Sequence, residues 1–227
     1  MTNSVGMNFA PVPAGTYTMG SWVGQWGHLS DETQHVVEIT KTYHLQTTEV
    51  TQAQWLAVMG SNPSIFVDPD RPVENITSFQ IQDFITALNA MEPGTIYRLP
   101  TESEWEMACR GGTPTVWHFG NVLADLPAHA WYSANSGGGT QPVAGKTPNQ
   151  FGLYDMHGNV WELCSDYYYP TYPVGPVVDP VGPVFGLGFC ARGGSWANAP
   201  SNTRSARRSS IGGWTASAAL GFRLVKT

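Results

Sequence analysis

Three times the chain spells the same helix-starting device, and each time the helix it opens is short. Thr51-Gln-Ala-Gln54, Thr77-Ser-Phe-Gln80 and Thr101-Glu-Ser-Glu104 share one spacing. At that spacing a threonine hydroxyl accepts from the amide three residues on, and the side chain there reaches back to the cap. The first leads into Trp55, Leu56 and Val58 and stops at Gly60. After the second, Ile81, Phe84, Ile85 and Leu88 fall at i, i+3, i+4 and i+7, one face of a helix. The third precedes Trp105, Ala108 and Cys109, with Gly111 and Gly112 placed to end it. Three short helices leave most of the chain to strands and loops.

The strand signals are brief. Gly15-Thr-Tyr-Thr-Met19, Val36-Val-Glu-Ile39 and Tyr43-His-Leu45 are β-branched or aromatic, and Phe222-Arg-Leu-Val225 reads as a closing strand. Residues 113–150 and 165–190 read mostly as loops, in keeping with 25 Gly and 17 Pro. Nine each of Trp, Tyr and Phe predict aromatics wedged between those loops as core. The expectation is one α+β domain over residues 1–227, with short helices, small antiparallel sheets and much irregular structure. Loops of this length in a single domain usually carry function.

A formal charge of -6 argues against nonspecific nucleic-acid binding. Arg204, Arg207 and Arg208 cluster locally and are read as anchors of a loop to carboxylates or carbonyls. Cys109, Cys164 and Cys190 are an odd number, so no disulfide framework is forced, and Cys109 reads as a small buried hydrophobe. There is no signal-like start and no apolar run long enough to span a bilayer. The reading is a soluble cytoplasmic monomer without membrane insertion. Glu102, Glu104 and Glu106 are read as capping plus a solvated helix face, not as acid–base catalysts. His28, His35, His44, His118, His129 and His157 show no tight ligand spacing, and Gly193-Gly-Ser195 lacks the Gly-x-Ser-x-Gly pattern of a nucleophile elbow.

Several blocks fall into one order: PAGTYTMGS (13–21), TTEVTQAQW (47–55), PVENITSFQIQDF (72–84), YRLPTESEWEMACRGG (97–112), WYSANSGGGTQPV (131–143), NQFGLYDMHGNVWELCSDYY (149–168), RGGSW (192–196) and GFRLV (221–225). This order resembles the formylglycine-generating-enzyme (sulfatase-modifying factor) family, whose domain is an elaborated C-type lectin fold. In family members that oxidise a substrate cysteine, two cysteines after the GGS block hold copper. By position they fall here on Asn198 and Thr203, which supply no thiolate, and copper(I) needs soft sulfur. Sulfoxide-synthase relatives bind iron through three histidines, largely from an extra helical domain absent from this chain. The resemblance therefore implies the fold without copper or iron, and fold alone does not fix activity. Asp155-Met-His-Gly-Asn-Val-Trp-Glu162 resembles the family's second calcium loop, implying Asp155, the carbonyls of Gly158 and Val160, and Glu162 as Ca²⁺ ligands. The alternative makes Asp155 and Glu162 acceptors that brace a turn.

Between RGGSW and GFRLV, Ala197 to Ala219 is rich in Ala, Ser, Gly, Asn and Thr. It resembles the variable region of proteins diversified by retroelements, built on this same scaffold, with the region here at about 191–225. Randomising the first two bases of AAC codons never yields Lys, Gln, Glu or Met, and none occurs between Ala197 and Ala219; Trp214 needs another template codon. A plain Ser/Ala/Gly-rich loop would have similar composition. The expected surface comprises Ala197, Asn198, Ala199, Ser201, Asn202, Arg207, Ser209, Ser210, Ile211, Trp214, Thr215 and Ser217. Arg207, Ile211 and Trp214 are the expected anchors for an unidentified protein or small-molecule ligand, and Trp196 is expected beneath them in the frame. The functional expectation is a non-catalytic binding protein; the alternative is a formylglycine-type oxidoreductase with an atypical metal site.

Overall fold

In the computed structural model, which describes residues 1–227, all three capping boxes close in both directions. Thr51, Thr77 and Thr101 cap α1 (Gln52–Met59), α2 (Ser78–Met91) and α3 (Glu102–Arg110). Each cap of this kind contributes about 1 kcal/mol. Gly60 and Gly111 end α1 and α3 in the left-handed conformation. On α2, Ile81, Phe84, Ile85 and Leu88 are all buried.

Three small sheets hold the strands. The first has the order β1 (Phe9–Val12), β4 (Tyr43–Gln46), β11 (Val225–Lys226), β5 (Tyr97–Arg98), all antiparallel. The second runs β10 (Leu220–Gly221), β6 (Trp161–Tyr167), β8 (Phe189–Arg192), β9 (Arg208–Ile211). The third runs β2 (Gly15–Met19), β3 (His35–Ile39), β7 (Val177–Val178). Two pairings, β10 with β6 and β3 with β7, are parallel, so two of these sheets are mixed. The expected closing strand is split: Leu220–Gly221 joins one sheet and Val225–Lys226 another. Between them Arg223 turns inward to Glu162. Residues 113–150 are irregular apart from a 3-10 turn at Leu123–Ala128.

Two aromatic-rich cores fill the space between the sheets. Trp55 stacks on Phe84 at 5.1 Å, and Phe222 packs edge-on to both beneath α1 and α2. Trp105, Met107 and Cys109 of α3 meet Val37, Ile39 and Leu45 in the other. Every residue of α3 is buried. That corrects the solvated face expected of Glu102 and Glu106: both carboxylates lie inside, because arginines distant in sequence arrive to neutralise them.

Candidate functional site

The stretch after β8 leaves the sheet through Gly193 and Gly194, both with positive φ, runs through a 3-10 turn at Pro200–Thr203, and returns as β9. A second loop, 212–219, links β9 to β10. None of the expected surface residues is buried: Ala197, Ala199, Ser210, Trp214 and Thr215 are exposed, and Asn198, Ser201, Asn202, Arg207, Ser209, Ile211 and Ser217 are half-buried. Between them Thr203, Arg204, Ser205, Ala206 and Arg208 pass through the interior. Sequence composition alone does not distinguish these two sets.

Buried ion pairs pin the interior positions. Arg204 meets Glu32 in a two-pronged contact at 2.7 Å and 2.7 Å, with both side chains fully buried. Arg208 donates to Glu102 at 2.6 Å and 2.9 Å, and its guanidinium lies 4.0 Å from the Tyr172 ring centre. Arg192 bridges Glu102 and Glu106, and Arg110 also holds Glu106. Burial alone would raise the Glu102 carboxyl, but Arg208 and Arg192 hold it below its usual range. The arginines thus anchor the loop as expected. Two-pronged guanidinium–carboxylate contacts also fix orientation, so this frame is stiff.

Of the three expected anchors, Trp214 is the most available: it is 81% exposed and packs at a tilt of 37° on Phe79, with ring centres 4.1 Å apart. Ile211 packs on the α1–α2 core, and Arg207 folds back on Asn202 and on the carbonyl of Arg208. Asn198 and Ser217 also brace the loops: Asn198 accepts from Ser195 at 2.7 Å, and Ser217 accepts the Ala219 amide at 3.2 Å. Trp196 lies half-buried beneath the loops, donating to the carbonyl of Ala218 and packing edge-on to Phe66. At the other family cysteine position, the buried Thr203 hydroxyl accepts from Trp117 and donates to Pro200. The three thiols lie elsewhere and are buried; burial pushes Cys109 up to about 12 and Cys164 and Cys190 upward also.

The Asp155–Glu162 loop turns through Gly158, where a side chain would strike the Trp131 carbonyl oxygen at 2.0 Å, so only glycine fits. Glu162 carries both oxygens on Arg223, at 2.6 Å and 2.7 Å, and accepts the Trp105 indole. Asp155 takes the Ala144 amide on one oxygen and leaves the other buried without a partner. Glu49, which the sequence does not single out, is fully buried with both oxygens unpartnered. Burial and the neighbouring carboxylates push Glu49 well up, and burial raises Asp155 to about 6. Unpartnered buried carboxylate oxygens fit a hard cation; Glu162 fits the bracing alternative.

Two cavities lie away from the stretch's exposed residues. One of about 570 Å³ sits over Tyr172, Pro180 and Asp166; burial, and then Glu102, raise Asp166 to about 7. The other is lined by His118 and His129, which the sequence leaves apart and the fold brings together with His157. No helix is long and apolar enough to cross a membrane.

The chain is 32% identical to Treponema denticola variable protein 1, with a TM-score of 0.91 and coverage of 99% of this chain and 98% of that one. PvdO from Pseudomonas aeruginosa is 25% identical, at a TM-score of 0.87, over 99% and 95% of the two chains. The formylglycine-generating enzyme of Streptomyces coelicolor is 35% identical over 190 residues, 77% of this chain but 58% of that enzyme's length. The sulfatase-modifying factor enzyme 1-like domain matches residues 5–227, and the chain belongs to that family.

Proposed function

We propose that the protein is a non-catalytic binding protein that displays a retroelement-diversified surface on a C-type lectin-like scaffold. One observation carries this reading: within a single stretch, exposed small residues alternate with interior residues pinned by Arg204–Glu32 and Arg208–Glu102. Such a frame lets surface side chains change while the backbone under them stays put, as antibody loops vary on a rigid sandwich. The likeness to Treponema denticola variable protein 1 over nearly the whole chain supports it. Asn198 and Thr203 at the family's cysteine positions, with all three thiols buried and raised, support the non-catalytic part. Trp214, packed at a tilt on Phe79, is the aromatic anchor for an unidentified protein or small-molecule ligand. Calcium in this reading is structural, held by Asp155 with the carbonyls of Gly158 and Val160, and with Glu49 supplying the charge that Glu162 spends on Arg223.

The test substitutes Tyr at Ala197, Ala199 and Thr215 and measures urea unfolding. Each change is expected within about ±0.5 kcal/mol of the parent, whereas Phe222→Ala, a fully buried ring, is expected to cost about 3–5 kcal/mol. Loop variants as damaging as Phe222→Ala would remove the variable-surface reading. A second reading, a formylglycine-type oxidoreductase, is favoured by the identity with the Streptomyces coelicolor enzyme. Turnover of a Cys-x-Pro-x-Arg peptide in the presence of copper would establish it and overturn the non-catalytic part.

A further inference from the structure

Between β6 and β8 the chain leaves the second sheet, lends β7 to the third sheet beside Val37, and returns. Under this excursion lies the cavity of about 570 Å³, within the roughly 300–1,000 Å³ typical of small-molecule sites. Met19, Tyr167, Val177, Pro180 and Val181 give it apolar walls. Five buried polar side chains also line it: His35, Glu102, Ser103, Asp166 and Arg208. Their donors are spent. All five N–H groups of Arg208 are taken, by Glu102 twice, by the carbonyls of Asp31 and Tyr169, and by the Cys190 sulfur. Ser103 donates to the carbonyl of Pro180 at 3.4 Å, and Glu102 is covered by Arg208, Arg192 and Tyr172. Two acceptors stay open. Asp166 takes the Glu102 amide at 2.9 Å and the Ser165 hydroxyl at 3.2 Å on Oδ2, while its Oδ1 takes none. His35 donates from Nδ1 to the carbonyl of Thr33 at 3.2 Å, so in the neutral ring Nε2 is an acceptor without a partner.

We propose that this cavity binds a primary amine in its ammonium form, carried on an apolar body. The ammonium donates to Asp166 Oδ1, and the body lies against the apolar walls. The buried polar groups select the charge. An anion would find no free N–H on Arg208 and would meet a carboxylate. A hydrocarbon without a donor would seal Oδ1 away from water unpaired, at a cost in free energy. An ammonium brings three donors and the opposite charge in one compact head. Burial, and then Glu102, raise Asp166 to about 7, because its charge has no cationic partner in the fold. A bound ammonium supplies that partner and draws the carboxyl into its ionised form. Gly182 packs against the same carboxylate with φ +71°, where a side chain would come within 2.9 Å of Oδ1. Glycine there lets the excursion close over Asp166 without a side chain covering its free oxygen.

The experiment titrates phenethylamine, phenethyl alcohol and phenylpropionate, similar bodies with three head groups, into the protein by calorimetry, with amide shifts followed by NMR. Phenethylamine is expected to saturate one site and to shift Ser103, Val177 and Gly182. The alcohol and the carboxylate are expected to bind at least about tenfold more weakly. Asp166→Asn, which keeps the Glu102 and Ser165 bonds through its amide oxygen, is expected to reduce the amine to the level of the alcohol. Far-UV circular dichroism checks folding; should Asp166→Asn not fold, the comparison of amine with alcohol in the parent protein decides alone. Absence of saturable amine binding, an alcohol or carboxylate bound as tightly, full amine affinity in Asp166→Asn, or shifts confined to residues outside the cavity would each overturn the site. None of these outcomes bears on the loop substitutions that test the binding surface.

Discussion

Replacing Arg204 with Met removes one half of a buried ion pair from the middle of the most variable-looking stretch of the chain. In the parent, Arg204 gives two hydrogen bonds of 2.7 Å to Glu32 and one of 2.8 Å to the carbonyl of Ser201. Without it, Glu32 keeps only the Ser21 hydroxyl at 2.6 Å and remains a charge sealed from water. Breaking a buried pair in this way costs about 3–5 kcal/mol, against about 0.2–1 kcal/mol for an exposed one. In a domain of this size each kcal/mol moves the melting temperature by about 2–4 °C, so the expected loss is roughly 6–20 °C. Urea unfolding measures the free energy without the ionic screening that guanidinium would add. Glu32→Leu should cost a similar amount, by stranding the guanidinium. The double variant should be no worse than the poorer single one, because two apolar groups leave no stranded charge. A loss under about 1 kcal/mol for Arg204→Met, or additive losses in the double variant, would refute a pinned frame.

Asp166 sits buried with its carboxyl raised from 3.8 to about 7 by burial and then by Glu102. Between those values the folded state holds a proton the unfolded chain has released, so stability is fully present below pH 3.8 and is lost as pH rises through about 7. The contribution lost is on the order of 4 kcal/mol. Asp166→Asn, which still accepts the Glu102 amide, should flatten that decline; an unchanged pH–stability curve would reject the assignment. For Asp155, millimolar Ca²⁺ should raise the melting temperature over chelator, with about 2.7 kcal/mol available at a hundredfold excess over Kd. Asp155→Ala should abolish the difference, and coincident curves for the parent protein would rule out calcium there.

Features encoded within a few residues were legible in the sequence. The Thr51, Thr77 and Thr101 caps need only the side chain three positions on, and the strands containing Tyr17, Val37 and Tyr43 announce themselves by composition. Features that depend on distant partners were not. Glu102 and Glu106 share one helical face by spacing, and nothing local says that Arg192 and Arg208 will cover it. His118, His129 and His157 meet only because irregular loops fold over one another, which no periodicity reports. The variable-looking stretch fell between these cases. Its exposed Ala197, Ala199, Ser210 and Thr215 are of the same residue types as Thr203, Ser205 and Ala206, which run inside, so composition does not separate the two sets. Glu49 was missed because it reads as one more acid before a helix cap, and only the fold brings it beside Asp155 and Glu162.

β11 is encoded downstream of residues 197–219, yet it occupies an inner position in its sheet, between β4 and β5. The ribosome must therefore finish residues 197–219 before that sheet can close, since Val225 pairs with both Leu45 and Arg98. Pairings this remote in sequence also make folding slow. A nucleotide replacement within the stretch leaves Gly221-Phe-Arg-Leu-Val225 in frame and the sheet intact. An insertion, deletion or stop codon there removes the inner strand, together with Arg223 and its bond to Glu162. Such a chain lacks the strand that joins β4 to β5 and leaves the buried Glu162 carboxylate without its guanidinium.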